Sequence, residues 1–250
     1  MAQPTLSAAG ISAALTALPG DHPLPWRLKL LPVCASTELE LERWLAEAPP
    51  PLAVMARRQR HGQGQQGRPW HSPPGGVWLS AALPWPAQPE QAASLALAAA
   101  LGIALQLEGL GLRPAIKWPN DLLIDGRKLA GILPRLRWRG GRVRYAQLGV
   151  GLNGINRVPP GAIALAEAMG LRHHPRAQPL PLSARVLRGL EWAAAAAGEP
   201  ELVRRQAEQR LWRPDGVDHA GQRWSVAGLE LDGGLRLRSG SAVTVLQRRF

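Results

Sequence analysis

Lysine is rare in this chain: of 30 Lys and Arg residues, only Lys29, Lys117 and Lys128 are lysine. Two of the three fall in one stretch from Ile116 to Leu133, I-K-W-P-N-D-L-L-I-D-G-R-K-L-A-G-I-L. An ammonium is a compact point charge and a guanidinium a planar fork, and the two are not interchangeable. Arginine fills nearly every other basic position, so this stretch marks a place where ammonium groups are wanted. Asn120 and Asp121 lie between the two lysines.

The elements around that stretch must hold these side chains together. Ile116 to Trp118 reads as a short strand, broken at Pro119-Asn120-Asp121. Leu122 to Ile124 resumes it, Asp125-Gly126 is a tight-hairpin signal, and Lys128 to Leu133 returns, continuing to Trp138. Polar groups on neighbouring strand ends and turns can converge. Upstream, Leu28 to Val33 predicts a first strand. Ser36-Thr37 then caps a helix that stops before Pro49-Pro50-Pro51, and Leu52 to Ala56 predicts a second strand. Between Arg58 and Gly76 the glycines Gly62, Gly64 and Gly67 predict a loop whose backbone N–H groups can approach an anion. No Gly-Lys-Ser/Thr follows, so this is not the mononucleotide P-loop. Arg68 can meet a phosphate there, and Trp70 can stack on a base.

Val77 to Leu83 predicts a buried strand, and a helix is expected from about Pro89 to Glu108. Arg142 to Val150 pairs back on the hairpin and ends in L-G-V-G-L-N, Leu148 to Asn153. Helices are expected at Ser183 to Ala197, with Ser183 as cap, and at Pro200 to Trp212. Beyond Pro214, short alternating runs (Arg223–Val226, Leu229–Leu231, Leu235–Leu237, Val243–Gln247) predict a small all-β unit. Residues 1–25 read as a loose lead-in or small helix.

Composition narrows the classes. Thirty basic against 18 acidic residues give a formal charge of +12. The excess is dispersed, with no recognition helix, zinc-finger spacing or aromatic ribonucleoprotein motif, so no specific nucleic-acid partner is expected. The longest apolar stretch, Ala92 to Leu107, is interrupted by Ser94, Gly102 and Gln106 and reads as a buried helix, so no membrane association is expected. Cys34 alone forms no intramolecular disulfide, which suits the cytoplasm. The six histidines carry no zinc-ligand spacing; His173 and His174 are merely adjacent.

From about Leu28 onward the motifs resemble those of biotin protein ligases, in that family's order. Ser36-Thr37 matches the Ser-Thr after the first strand. Gly62-Gln63-Gly64-Gln65-Gln66-Gly67-Arg68-Pro69-Trp70 is similar to the family's G-R-G-R-R-G-R-x-W loop. K-W-P-N-D-L from Lys117, R-K-L-A-G-I-L from Arg127 and G-V-G-L-N from Gly149 complete the set. The resemblance implies an α/β (α+β) fold, a mixed sheet flanked by helices like the core of class II aminoacyl-tRNA synthetases, with a small C-terminal Src-homology-3-like barrel. Its boundaries would be a lead-in at 1–27, a catalytic domain at 28–212 and the barrel at 213–250. The family's N-terminal helix-turn-helix is not expected here.

The activity implied is formation of biotinyl-5'-AMP from biotin and ATP with Mg²⁺, then transfer of biotin to a lysine on the biotin carboxyl carrier domain of a carboxylase such as acetyl-CoA carboxylase. Lys128 would be the catalytic cation, also touching biotin. By resemblance Ser36, Thr37, Glu38, Gln59, Gly62, Gln63, Gly64, Gln65, Gly131, Leu133 and Gly149 would bind biotin. Arg68, Trp70, Lys117, Asn120, Asp121 and Asn153 would bind ATP, with Asp121 on the metal. Gln63, Gln65 and Gln66 stand where the family carries arginine, which implies a looser hold on the adenylate. A lipoate or octanoate ligase and a non-catalytic biotin-binding relative remain alternatives, and the sequence leaves monomer and homodimer open.

Overall fold

Two runs of almost wholly apolar sequence, L-A-V-M-A and V-W-L-S-A-A-L, form strands buried along their whole length, as strands covered on both faces must be. The structure, a computed structural model, describes residues 6–88, 92–171 and 174–247. Seven strands make one mixed sheet: β1 (Arg27–Leu31), β2 (Leu52–Ala56), β3 (Val77–Leu83), β4 (Ala115–Lys117), β5 (Asp121–Ile124), β6 (Arg127–Arg139) and β7 (Arg142–Leu152). Their spatial order is β1-β2-β3-β7-β6-β5-β4. β1 runs parallel to β2, and every other neighbour is antiparallel.

Helices cover the sheet on both sides. α1 is Ala8–Thr16, α2 Thr37–Leu45, α3 Leu95–Glu108, α4 Leu165–Ala168, α5 Pro179–Ala195 and α6 Pro200–Gln209. α3 is Ala/Leu-rich and buried almost all round, so it carries no polar stripe. It crosses α5 at Gly102 and Gly189; a Cβ on Gly102 would come within 2.1 Å of the Gly189 carbonyl oxygen. Only glycine at the crossing allows that approach. α2 packs on the opposite face, where Leu41 meets Leu52, Val54 and Ala82. Among the described residues no helix is long and apolar enough to cross a membrane.

The N-terminal segment is tied down more firmly than its sequence implies. Ser7 caps α1, and Ile11 and Leu15 are buried. Arg188 and Glu191 of α5, both buried, reach into this segment. The Arg188 guanidinium donates to Leu15 O at 2.8 Å and Leu18 O at 3.0 Å and pairs with Glu191 at 2.5 Å. Glu191 Oε1 accepts from Leu24 N at 3.0 Å and Trp26 Nε1 at 2.9 Å.

Other expectations shift. Pro89 lies outside the described residues, as does His173, and α3 begins at Leu95. Ser183 is no cap: α5 starts four residues earlier at Pro179, where a missing N–H costs nothing, and Ser183 is buried inside it. α6 stops at Gln209. The C-terminal unit is a four-stranded antiparallel sheet of β8 (Val217–His219), β9 (Gln222–Leu229), β10 (Leu235–Ser239) and β11 (Ala242–Leu246), ordered β11-β10-β9-β8. Leu229 to Leu231 is not a strand of its own; β9 ends at Leu229 and the chain turns, leaving Leu231 exposed. The polypeptide after α6 brackets the edge strand β4. Ile116 N donates to Arg210 O at 2.7 Å, Trp212 N to Ile116 O at 2.8 Å, and Trp118 Nε1 to Gly233 O at 2.8 Å.

Candidate active site

On the α2 face, beside that helix, the sheet leaves a cavity of about 900 Å³, a volume typical of ligand pockets. Alternation along β6 and β7 places Gly131, Leu133, Gly149 and Gly151 on its floor, with Gly131 paired to Gly151 and Leu133 to Gly149. Glycine at three of these four positions keeps the floor low.

One end is a polar network. Thr37, the first residue of α2, donates to Gln59 Oε1 through its backbone N–H at 2.8 Å and its hydroxyl at 3.0 Å. Its hydroxyl also meets Ser80 Oγ at 2.8 Å. Gln59 Nε2 donates to Ser72 Oγ at 2.9 Å, and that hydroxyl donates to Trp70 O at 3.1 Å. Ser36 caps the helix by accepting from Glu38 N. Glu38 lines the cavity and pairs with Arg135 at 2.7 Å. Burial pushes the Glu38 carboxyl pKa up, with Arg135 opposing that shift. Nearby, burial and then Glu40 raise the Cys34 thiol to about 11, so it supplies no thiolate nucleophile.

The glycine loop closes over the cavity as a small stitched turn. Trp70 N donates to Gly62 O and Gly64 N to Arg68 O, each at 2.8 Å, and Gln65–Gly67 forms one 3₁₀ turn. Its amides at Gly64, Arg68 and Trp70 are therefore spent on the loop itself. Two buried side-chain donors within it, Gln65 Nε2 and Trp70 Nε1, have no protein partner. Buried donors are seldom left unpaired; Trp70 Nε1 lies against the Gly151 floor. The Trp70 ring is seated on the glycine floor: a Cβ at Gly151 would meet it at 2.4 Å and one at Gly131 at 3.0 Å.

At the other end stands Lys128. Its backbone is fixed between Gly161 O and Ile163 N, and its ammonium lies 2.8 Å from Asp121 Oδ1 and 5.0 Å from the Trp70 ring centroid. Asn120 is buried, donating through Nδ2 to Ile132 O at 2.5 Å, which pins the turn before β5 to β6. Asn153 is buried too, its Oδ1 accepting from Asn156 at 3.1 Å.

The cavity thus gathers Ser36, Thr37, Glu38, Gln59, Gly62, Gln63, Gly64, Gln65, Arg68, Trp70, Asn120, Asp121, Lys128, Gly131, Leu133, Gly149 and Asn153. Lys117 is not among its lining residues. It ends the edge strand with its ammonium 5.4 Å from the Trp212 ring. Sequence reasoning missed Ser80 and Gly151. Ser80 is the single polar residue inside the buried run of β3, and Gly151 repeats Gly149 two positions on, so both carried a signal.

Seven mixed strands, helices on both faces and this cavity give the chain the fold of solved biotin protein ligases. The enzyme from Aquifex aeolicus in complex with biotin and ATP superposes with a TM-score of 0.71 at 22% identity, covering 88% of this chain and 95% of that one. The Leishmania major ligase in complex with biotinyl-5-AMP gives 0.57 at 21% identity, covering 90% and 100%. Residues 30–153 match the model of the Biotin/lipoate A/B protein ligase family. It is 39% identical over 114 residues to the bifunctional ligase/repressor BirA of Bacillus subtilis, covering 45% of this chain and 35% of that protein. To the biotin–[acetyl-CoA-carboxylase] ligase of Paracoccus denitrificans it is 37% identical over 137 residues, covering 48% and 54%. The matched part spans about a third to a half of these relatives' lengths.

Proposed function

We propose that this chain is an ATP-dependent biotin–protein ligase, acting on the biotin carboxyl carrier domain of a carboxylase. The observation that carries the reading is the Lys128 ammonium at the Asn120, Asp121 and Asn153 end of one cavity, across a glycine floor from the polar Thr37–Gln59 end. Biotin would lie over Leu133 and Gly149, beside the Trp70 ring seated at Gly131, with its ring toward Ser36, Thr37 and Gln59, and its carboxylate at Lys128. The carboxylate oxygen attacks the α-phosphorus of ATP, and pyrophosphate leaves. The carrier lysine amine then attacks the acyl carbon, forming an amide and releasing AMP. Both steps gather negative charge, which a preorganised ammonium stabilises. Arg68, Gln65 and Trp70 would hold phosphate and adenine, and Asn153 the adenine edge.

Among the described residues no cluster of three or more His, Cys, Asp or Glu could hold a metal. For a Mg²⁺ arriving with the nucleotide, Asp121 and Asn120 would offer oxygens at this end of the cavity, and the ion would neutralise phosphate charge. We assign the core to the class II aminoacyl-tRNA synthetase type, and the four-stranded C-terminal sheet to a Src-homology-3-like barrel spanning 213–250.

Pyrophosphate exchange tests the reading: labelled pyrophosphate should enter ATP when biotin is added and not when lipoate is. Exchange with lipoate alone would assign the other acyl group. Gly151→Ala tests the seat of Trp70. The added methyl should unseat the ring and weaken nucleotide binding roughly 5- to 100-fold, the range for loss of one base–aromatic stack. Unchanged affinity in a nucleotide titration would take Trp70 out of adenine binding.

A further inference from the structure

Asp121 and Glu38 are the two acids lining the cavity, and each is already engaged: Glu38 with Arg135, and Asp121 with Lys128 at 2.8 Å. The ammonium proposed to receive the substrate carboxylate is thus paired with an internal carboxylate. The pair is held, not incidental. Asp121 opens β5 in register with Gly131 of β6, and Lys128 is fixed through its backbone at Gly161 and Ile163. The Lys128 side chain passes within 3.3 Å of where a Gly131 Cβ would stand, and its charge faces the Trp70 ring. Packing on those two sides leaves Asp121 as its anionic partner.

Resting on the ligase reading above, we infer that Asp121 is a built-in competitor of the substrate carboxylate, and that exchange of partners at Lys128 couples binding of the two substrates. An entering carboxylate must take Lys128 from Asp121, which leaves two carboxylates beside one ammonium. Like charges so close disfavour each other. A nucleotide that brings a divalent cation gives the displaced Asp121 a new partner. Each substrate then binds better in the presence of the other, as reciprocal linkage requires. Asp121 acts here through Lys128, as a positioning residue, before any chemistry occurs.

The variant that tests this is Asp121→Asn, nearly equal in size and without charge. Calorimetric titration compares it with the native protein using biotin and biotinamide, whose end is neutral, with and without a non-hydrolysable magnesium–ATP analogue. The inference expects Asp121→Asn to bind biotin roughly 3- to 20-fold more tightly than native in the absence of nucleotide, on the scale of a partly exposed ion pair or a charged hydrogen bond. Biotinamide affinity should not change, which also shows that the variant is folded. The nucleotide analogue should tighten biotin binding to the native protein and not to the variant, and Asp121→Glu should restore the coupling. Equal biotin affinity in native and Asp121→Asn, or a parallel change for biotin and biotinamide, overturns the competitor role. A native protein that binds neither biotin nor biotinamide would sink the ligase reading itself, a distinguishable result.

Discussion

Lys128→Ala is expected to abolish adenylate formation while leaving the sheet intact. The side chain is partly exposed and its contacts are the Asp121 carboxylate, the Trp70 face and the glycine floor, so truncation removes no core packing. What it removes is the positive charge where the carboxylate, the α-phosphate and later the leaving AMP would meet. A contact of that kind strengthens as charge develops, and its loss is measured in several kcal/mol, on the order of 100-fold or more in rate. Asp121 would also lose its partner and face the incoming anions unneutralised. Lys128→Arg should fail too, since a planar fork cannot occupy the point where the ammonium now sits 2.8 Å from Asp121. Biotin-dependent pyrophosphate exchange is the assay, with circular dichroism as the fold control. Near-native exchange in the alanine variant would falsify the role given to Lys128.

Glu191→Ala should cost much of the protein's stability. Its carboxylate is 2% exposed, pairs with the buried Arg188 guanidinium and accepts from Leu24 N and Trp26 Nε1. Removing one partner of a buried ion pair costs about 3–5 kcal/mol, because the other charge stays buried and uncompensated. Two further donors would be stranded in the same place. For a chain of this size that is a drop of roughly 10 °C in Tm. The segment before β1 should also become sensitive to protease, since Glu191 and Arg188 are what fasten it to α5. A thermal midpoint within a degree of native would show that the pair contributes nothing net.

Much of the sheet was legible because burial on both faces writes itself as continuous apolar sequence. β2 and β3 have the limits read from their residues, and the Asp125-Gly126 turn lies between β5 and β6 as expected. Helix starts were harder. Two prolines, Pro179 and Pro181, hid the beginning of α5, although proline is at home in a first turn. In the site, motif residues converged wherever one strand or one loop carries them. Contacts between distant segments stayed invisible. Nothing near Lys117 announces Trp212, yet that ring draws its ammonium to the sheet edge. Nor does the glycine at 151 name Trp70 as the side chain it makes room for. The tie of the N-terminal segment to Arg188 and Glu191 is likewise a pairing of segments far apart in sequence that no local pattern encodes.

The bracketing of β4 by residues far downstream bears on how the protein is made. As a chain grows from its N-terminus, Ile116 to Asp121 emerge long before Arg210, Trp212 and Gly233, which hold the outer side of that strand. Throughout that interval β4 is an open edge, the kind of surface on which another chain can add a strand. Such late, long-range closures are where growing chains stall or associate wrongly. A nascent chain therefore exposes Lys128 and the turn beside it well before Arg210, Trp212 and Gly233 are there to hold the edge strand.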